Sequence, residues 1–178
     1  MREQARVVII GAGIVGCSAA YHLTKLGWRE VVVIEQGPLF ATGGSSSHAP
    51  GLMFQLNASR AVTQLARYSA GWYAELYPEG EPAFRRVGSL EVATTPERWQ
   101  DLKRKQGQAM SWGLEAHLIG AQEAAHKMPL LRTERLHGAL YVPSDGAAQA
   151  VRLAEAAARA AEERGAAFYG HTQVTGIE

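Results

Sequence analysis

Cysteine occurs once in the 178 residues, at position 17, so neither an intrachain disulfide framework nor a cysteine-rich zinc site is available. Charge of one sign is also scarce: 18 Lys+Arg against 17 Asp+Glu leave a net +1, without the basic excess carried by nucleic-acid binders. One segment invites a membrane reading, the uncharged stretch from Val7 to Thr24. It is barely long enough to span a bilayer and is broken by Gly11, Gly13, Gly16, Ser18 and His22. Within it Ile14-Val15-Gly16-Cys17 passes for a lipid-attachment box, but Glu3 sits in the supposed basic region and the residues after Cys17 read as a helix continuing. These absences point to a cytoplasmic protein with a small-molecule substrate, and with neither nucleic acid nor membrane as partner. What is present is ordinary globular composition, 47% hydrophobic and 20% charged, in a length of one domain and a little more.

Along the chain, Ala5 to Ile10 reads as a short buried strand, followed by a glycine-rich turn. A helix is expected from Ile14 to Leu26, ending at Gly27, and a second all-apolar strand at Val31 to Ile34. Together they have the size of a βαβ unit, which makes the fold class α/β. Gln36 to Asn57 reads as loop. Helix follows over Ala58 to Leu76, with Ala61, Leu65, Tyr68 and Trp72 at helical spacing, and then a strand over Phe84 to Thr94 bent at Gly88. Thr95-Pro96 signals a helix start, with that helix running to Trp112. A strand at His117 to Ile119, a helix at Ala121 to Lys127 and a strand at Ala139 to Val142 come next. Ser144-Asp145-Gly146 is expected to open a long helix over Ala147 to Arg164, with Asp145 as a turn or capping residue, and the tail to Ile177 to form two short strands.

Gly11-Ala12-Gly13-Ile14-Val15-Gly16 matches G-x-G-x-x-G, a pattern that is weak alone and stronger here because a strand precedes it and a helix follows. Gly11 permits the tight turn, Gly13 lets backbone approach a pyrophosphate, and Gly16 lets the helix lie close on the sheet. The helix start presents unpaired N–H groups to the phosphates. Glu35, 19 residues after Gly16, can accept hydrogen bonds from a ribose diol and repels a 2′-phosphate. The motif does not separate NAD from FAD, and a glycine turn in another α/β protein, such as one binding S-adenosylmethionine, remains the bland reading. Cys17 is a small packing residue. The run Gly43 to Ser47 begins eight residues after Glu35, and its N–H groups and hydroxyls can fold around the pyrophosphate; on composition alone it is a connector. His48 by itself is a surface residue. His22, His117, His126, His137 and His171 lack metal-like spacing, and no metal is assigned.

The stretches RVVIIGAGIVG, QGPLFATGGSSSHAPGLMFQ, GSLEVATT, WGLEAHL and YVPSDG, in this order, resemble the dimethylglycine oxidase family. That family includes dimethylglycine and sarcosine dehydrogenases, within the D-amino-acid-oxidase-like flavoproteins. The GGS-x-S-HAPG segment is its specific part. The resemblance implies a Rossmann-like, glutathione-reductase-type FAD-binding fold. On that pattern 1–83 is the first part of the FAD-binding domain, 84–142 the start of an inserted substrate-binding domain, and 143–178 the FAD-binding domain resumed and truncated. It implies FAD-dependent oxidation of an N-methyl carbon of dimethylglycine or sarcosine, giving an iminium that is hydrolysed or passed to tetrahydrofolate in a full-length relative.

Carried over residue by residue, FAD meets Ile14, Val15, Glu35, Gln36, Ser45, Ser46, Ser47 and Leu52 besides Gly11, Gly13 and Gly16. Val174 matches a valine whose backbone meets the adenine. His48 falls on the histidine that in the family is joined covalently to the 8α-carbon of the flavin. Family members continue well beyond Glu178, and their catalytic histidine and tyrosine lie in that continuation, so the catalytic residues here are unknown. An incomplete sheet leaves apolar surface uncovered, which favours a homo-oligomer or a C-terminal portion as its cover. The alternatives are a non-catalytic nucleotide-binding fragment and half of an NAD(P)-dependent dehydrogenase.

Overall fold

A computed structural model describes residues 4–41 and 43–177. In chain order the first elements are β1 (Val7–Ile10), α1 (Ile14–Lys25), β2 (Val31–Ile34), α2 (Ser45–His48) and β3 (Leu52–Met53). Next come α3 (Arg60–Tyr73), a 3-10 turn at Pro78–Gly80, β4 (Phe84–Arg85), β5 (Ser89–Ala93) and α4 (Pro96–Ser111). The chain continues through β6 (His117–Ile119), α5 (Ala121–Lys127), β7 (Gly138–Val142), β8 (Gly146–Ala148), α6 (Ala150–Glu162) and β9 (Ala167–Tyr169). Two compact units result. The first comprises Met1–Gly51, Tyr73–Phe84 and Ala148–Glu178, the second Leu52–Trp72 and Arg85–Ala147. Residues 52–72 thus belong to the second unit.

In the first unit β1, β2 and β9 form a parallel sheet in the order β1-β2-β9, with Val7 opposite Val31 and Ile34 opposite Tyr169. Val31, Val32 and Val33 are all buried, as a central strand covered on both faces requires. Helices α1 and α6 pack against each other, and small residues are buried on both, Cys17 and Ala20 on one and Ala154, Ala157, Ala158 and Ala161 on the other. Ile9 points towards α1, while Val8 and Ile10, by strand alternation on the opposite face, stay 53% and 59% exposed. β1 is an edge of this sheet.

The second unit is built on an antiparallel sheet of order β5-β7-β6. Ala93, Leu140 and Val142 pack with Leu102 and Ala109 of α4, and Ile119 and Ala139 pack with Ala124 of α5. Thr95 caps α4 as its sequence signals: its hydroxyl accepts the N–H of Arg98 at 3.2 Å, with Pro96 at the first helical position.

Five expectations are corrected. The segment expected to open a helix at Ser144-Asp145-Gly146 is instead extended: β8 pairs antiparallel with β3, Leu52 opposite Ala147, and α6 starts only at Ala150. Lateral backbone bonding outweighs helix propensity there, since the Ala148 N–H donates to the Gly51 carbonyl at 2.7 Å. Asp145 caps no helix and is buried among polar donors. The 36–57 loop contains α2 and β3. The strand expected over 84–94 is split into β4 and β5, because Gly88 takes φ +77 against the Tyr141 ring, where a Cβ would come within 2.5 Å. The tail forms one strand rather than two; beyond Tyr169 it is tied to the end of β2 by bonds from His171 N–H to Gly37 O and from Thr172 N–H to Glu35 O.

The approach of α1 to the sheet depends on Gly16, where a Cβ would stand 2.0 Å from the Gly11 carbonyl oxygen and 3.3 Å from Ile9. Backbone on one side leaves nothing to rotate away. Gly16→Ala is expected to lower the unfolding free energy by about 1–3 kcal/mol, read as an earlier urea midpoint with unchanged slope.

Candidate functional site

Three backbone segments of the first unit converge at the amino end of α1. Gly11, at φ +101, turns the chain out of β1, and its N–H donates to the Ile34 carbonyl at 2.7 Å. Helix α1 then starts after Gly13, which has no side chain to cap it. The cap comes from 32 residues away: the Ile14 N–H donates to Ser46 Oγ at 3.0 Å. A Cβ on Gly13 would lie 3.1 Å from the same oxygen, so glycine there is what lets the serine segment close in. Ser47 holds its own turn, accepting the Gly43 N–H at 3.0 Å and donating to the Gly44 carbonyl at 2.8 Å.

Glu35 lies at the end of β2 and faces the turn. Its carboxylate accepts the Ala12 N–H at 2.9 Å and the Gly37 N–H at 3.1 Å. These bonds, with the Ala12 N–H foremost and the Gln36 N–H adding to them, hold its pKa below the ordinary 4.5 against a smaller opposing effect of burial. The side chain is therefore an anion near neutrality, an acceptor for hydroxyls and repellent to a further phosphate.

Gly13, Glu35, Gln36, Ser45, Ser46 and Ser47 line one cleft of about 300 Å³. Gly11, Glu35, Gln36 and Val174 line a second of about 270 Å³, so Glu35 and Gln36 serve both. Of the remaining expected residues, Ile14 contributes its N–H, Gly16 is buried beneath the turn, and Val15 is 81% exposed on α1. His48 is exposed at the end of α2, outside the cleft lining; its Nδ1 faces the Gly44 carbonyl at 2.9 Å and Ser47 Oγ at 3.3 Å. Leu52 is exposed on β3 in the second unit. Three contributors have no sequence signal of their own: the Ala12 N–H on Glu35, and Val151 and Ala154 of α6 in the cleft wall. The small residues that follow YVPSDG point to a closely packed helix, not to a cleft wall. Among the described residues no group of His, Cys, Asp or Glu could hold a metal ion, and no helix is long and apolar enough to cross a membrane.

A glycine turn, a strand-end carboxylate and a serine segment around one helix start define a dinucleotide-binding α/β unit. The DAO family, described as FAD dependent oxidoreductase, matches residues 6–178, and the chain belongs to that family. It is 36% identical to the mitochondrial pyruvate dehydrogenase phosphatase regulatory subunit of Mus musculus, over 98% of this chain and 21% of that protein. It is 34% identical to mitochondrial sarcosine dehydrogenase of Homo sapiens, over 97% and 19%, and 33% identical to mitochondrial dimethylglycine dehydrogenase of Rattus norvegicus, over 99% and 21%. Among solved structures, L-proline dehydrogenase from P. horikoshii superposes with a TM-score of 0.91 at 29% identity, over all of this chain and 47% of that one. The chain thus spans about a fifth of the length of these curated relatives.

Two outcomes test this geometry. Because the folded-state pKa of Glu35 is lowered, its carboxylate stabilises the fold above pH 4.5 and that contribution is lost as pH falls below it. The stability gap between wild type and Glu35→Gln should hold near neutrality and close on acidification, read by urea unfolding across pH; a gap indifferent to pH contradicts the assignment. Cys17 is buried, its thiol 3.2 Å from the Ala12 carbonyl, and burial first, then Glu35 and Glu162, push its pKa up to about 12. A maleimide should leave the native protein unlabelled and modify it once in urea, as seen by mass.

Proposed function

We propose that this chain supplies the FAD-binding part of an amine oxidoreductase acting on N-methylated glycine, dimethylglycine or sarcosine. One observation carries the reading: Ser46 reaches across 32 residues to the first N–H of α1, closing serines, glycine turn and Glu35 around one cleft. Likeness to sarcosine and dimethylglycine dehydrogenases supports the substrate class. On this reading the start of α1 with Gly11, Gly13, Ser45, Ser46 and Ser47 would hold the diphosphate. Glu35 with Gln36 would hold the ribose, and Val174 would meet the adenine. Bound FAD would supply two-electron oxidation of the C–H bond beside the amine nitrogen. The chain's residues bind it, orient it and set the local charge.

His48 is the residue we assign to covalent attachment. Its Nδ1 faces a carbonyl oxygen, which accepts only from a protonated nitrogen, so Nε2 is the ring nitrogen left with a lone pair. In the neutral form of that tautomer Nε2 is the nucleophilic nitrogen of the ring. Passage of the one-carbon product to tetrahydrofolate would belong to a longer relative. The cytoplasm is the proposed location and a homo-oligomer or C-terminal portion the proposed cover of β1, whose Val8 and Ile10 are exposed.

A second reading, a nucleotide-binding regulatory chain without turnover, is favoured by the 36% identity to a regulatory subunit. Intact mass after acid precipitation tests the attachment: covalent FAD adds about 0.8 kDa, and His48→Ala should lose the added mass and the yellow colour of the pellet. A colourless protein that binds NAD contradicts the flavin assignment. Flavin retained without oxidation of sarcosine or dimethylglycine by the longest natural form favours the regulatory reading.

A further inference from the structure

The second unit contains a buried carboxylate that none of the preceding chemistry uses. Asp145, 1% exposed, accepts the Gln55 N–H at 2.9 Å and the Gln55 Nε2–H at 3.1 Å on Oδ1, and the Ser89 hydroxyl at 2.6 Å on Oδ2. A carboxylate offers about four acceptor directions, so one remains on Oδ2. All three donors are neutral. The residue also borders a cavity of about 440 Å³ whose walls include Phe54, Leu56, Leu90, Leu140 and Val142. The other charges lining it are Glu91 and Lys105, and they are spent on each other, Lys105 Nζ lying 2.6 Å from Glu91 Oε1. Arg98 of α4 also pairs with Glu91. Among the described residues lining the cavity, Asp145 is therefore the one charge without an opposite charge in contact.

We propose that this cavity binds a small alkylammonium ion, its single N–H donated to Oδ2 of Asp145 and its methyl groups packed on the surrounding apolar side chains. An anion there would meet a buried like charge, and a neutral molecule would leave that charge unbalanced. Size, apolar walls and a few convergent polar atoms are those of a small-molecule pocket. Burial raises the Asp145 pKa, opposed by its bonds from Ser89 and Gln55, and uptake of a proton on acidification would remove the charge that the cation needs. Binding consequently weakens as pH falls and Asp145 takes up a proton. The inference is independent of any flavin in the first unit.

Titration of the 15N-labelled full chain with trimethylammonium chloride, with tert-butanol as the neutral molecule of similar shape and sodium chloride as the salt control, tests it by NMR. Saturable shifts at the Gln55, Ser89 and Leu90 amides are expected, with trimethylammonium binding at least about tenfold more tightly than tert-butanol. The preference should vanish on acidification and in Asp145→Asn. Equal affinity for the two molecules, or no saturable shift, overturns the proposal. Should Asp145→Asn fail to fold, Ser89→Ala decides: it removes one neutral donor and keeps the charge. Undiminished or tighter binding of trimethylammonium is then expected, and its loss overturns the proposal.

Discussion

The bond from the Ala12 N–H to the Glu35 carboxylate ties the glycine turn to the end of the neighbouring strand. Charge-assisted and partly buried, it is among the stronger bonds available to an exposed loop. It fixes the turn from one side while Ser46 fixes it from the other, through the N–H of Ile14. Neither residue is close in sequence to what it holds. A dinucleotide entering the cleft would meet a turn already held by these two bonds, with less ordering entropy to lose.

The first 36 residues are legible from sequence because every local signal there agrees with the tertiary structure. The valine run makes a central parallel strand, the glycines fall where backbone turns or touches backbone, and Glu35 ends the strand beside the turn. The position of Ser46 is legible only through the resemblance, since a Gly/Ser run by composition is a connector. Misreading concentrates at 144–148, where Ser-Asp-Gly is good capping chemistry and the following alanines are good helix formers. Tertiary pairing with Gly51 and Leu52 overrides both. The role of Asp145 depends on Gln55, 90 residues away, a partner no local pattern announces.

The two units solve burial differently. The first uses small residues so that α1 and α6 lie close together over a parallel sheet, where backbone proximity is the resource. The second packs larger side chains, Leu102, Leu140 and Val142, around an antiparallel sheet and buries a polar cluster at one end. A dinucleotide site needs backbone near the ligand and tolerates little side-chain volume. A cavity with apolar walls and a few fixed polar atoms suits recognition of a small molecule by shape and charge.

The first unit is assembled from three separated stretches of chain, and β9 joins its sheet beside β2. During synthesis the glycine turn and Glu35 leave the ribosome more than a hundred residues before the α6 wall and Val174. Over that interval the nascent chain displays only part of the cleft, with β2 still lacking β9 as a neighbour. The cleft therefore closes only after the residues of the second unit have been made, and its assembly depends on contacts of high sequence separation.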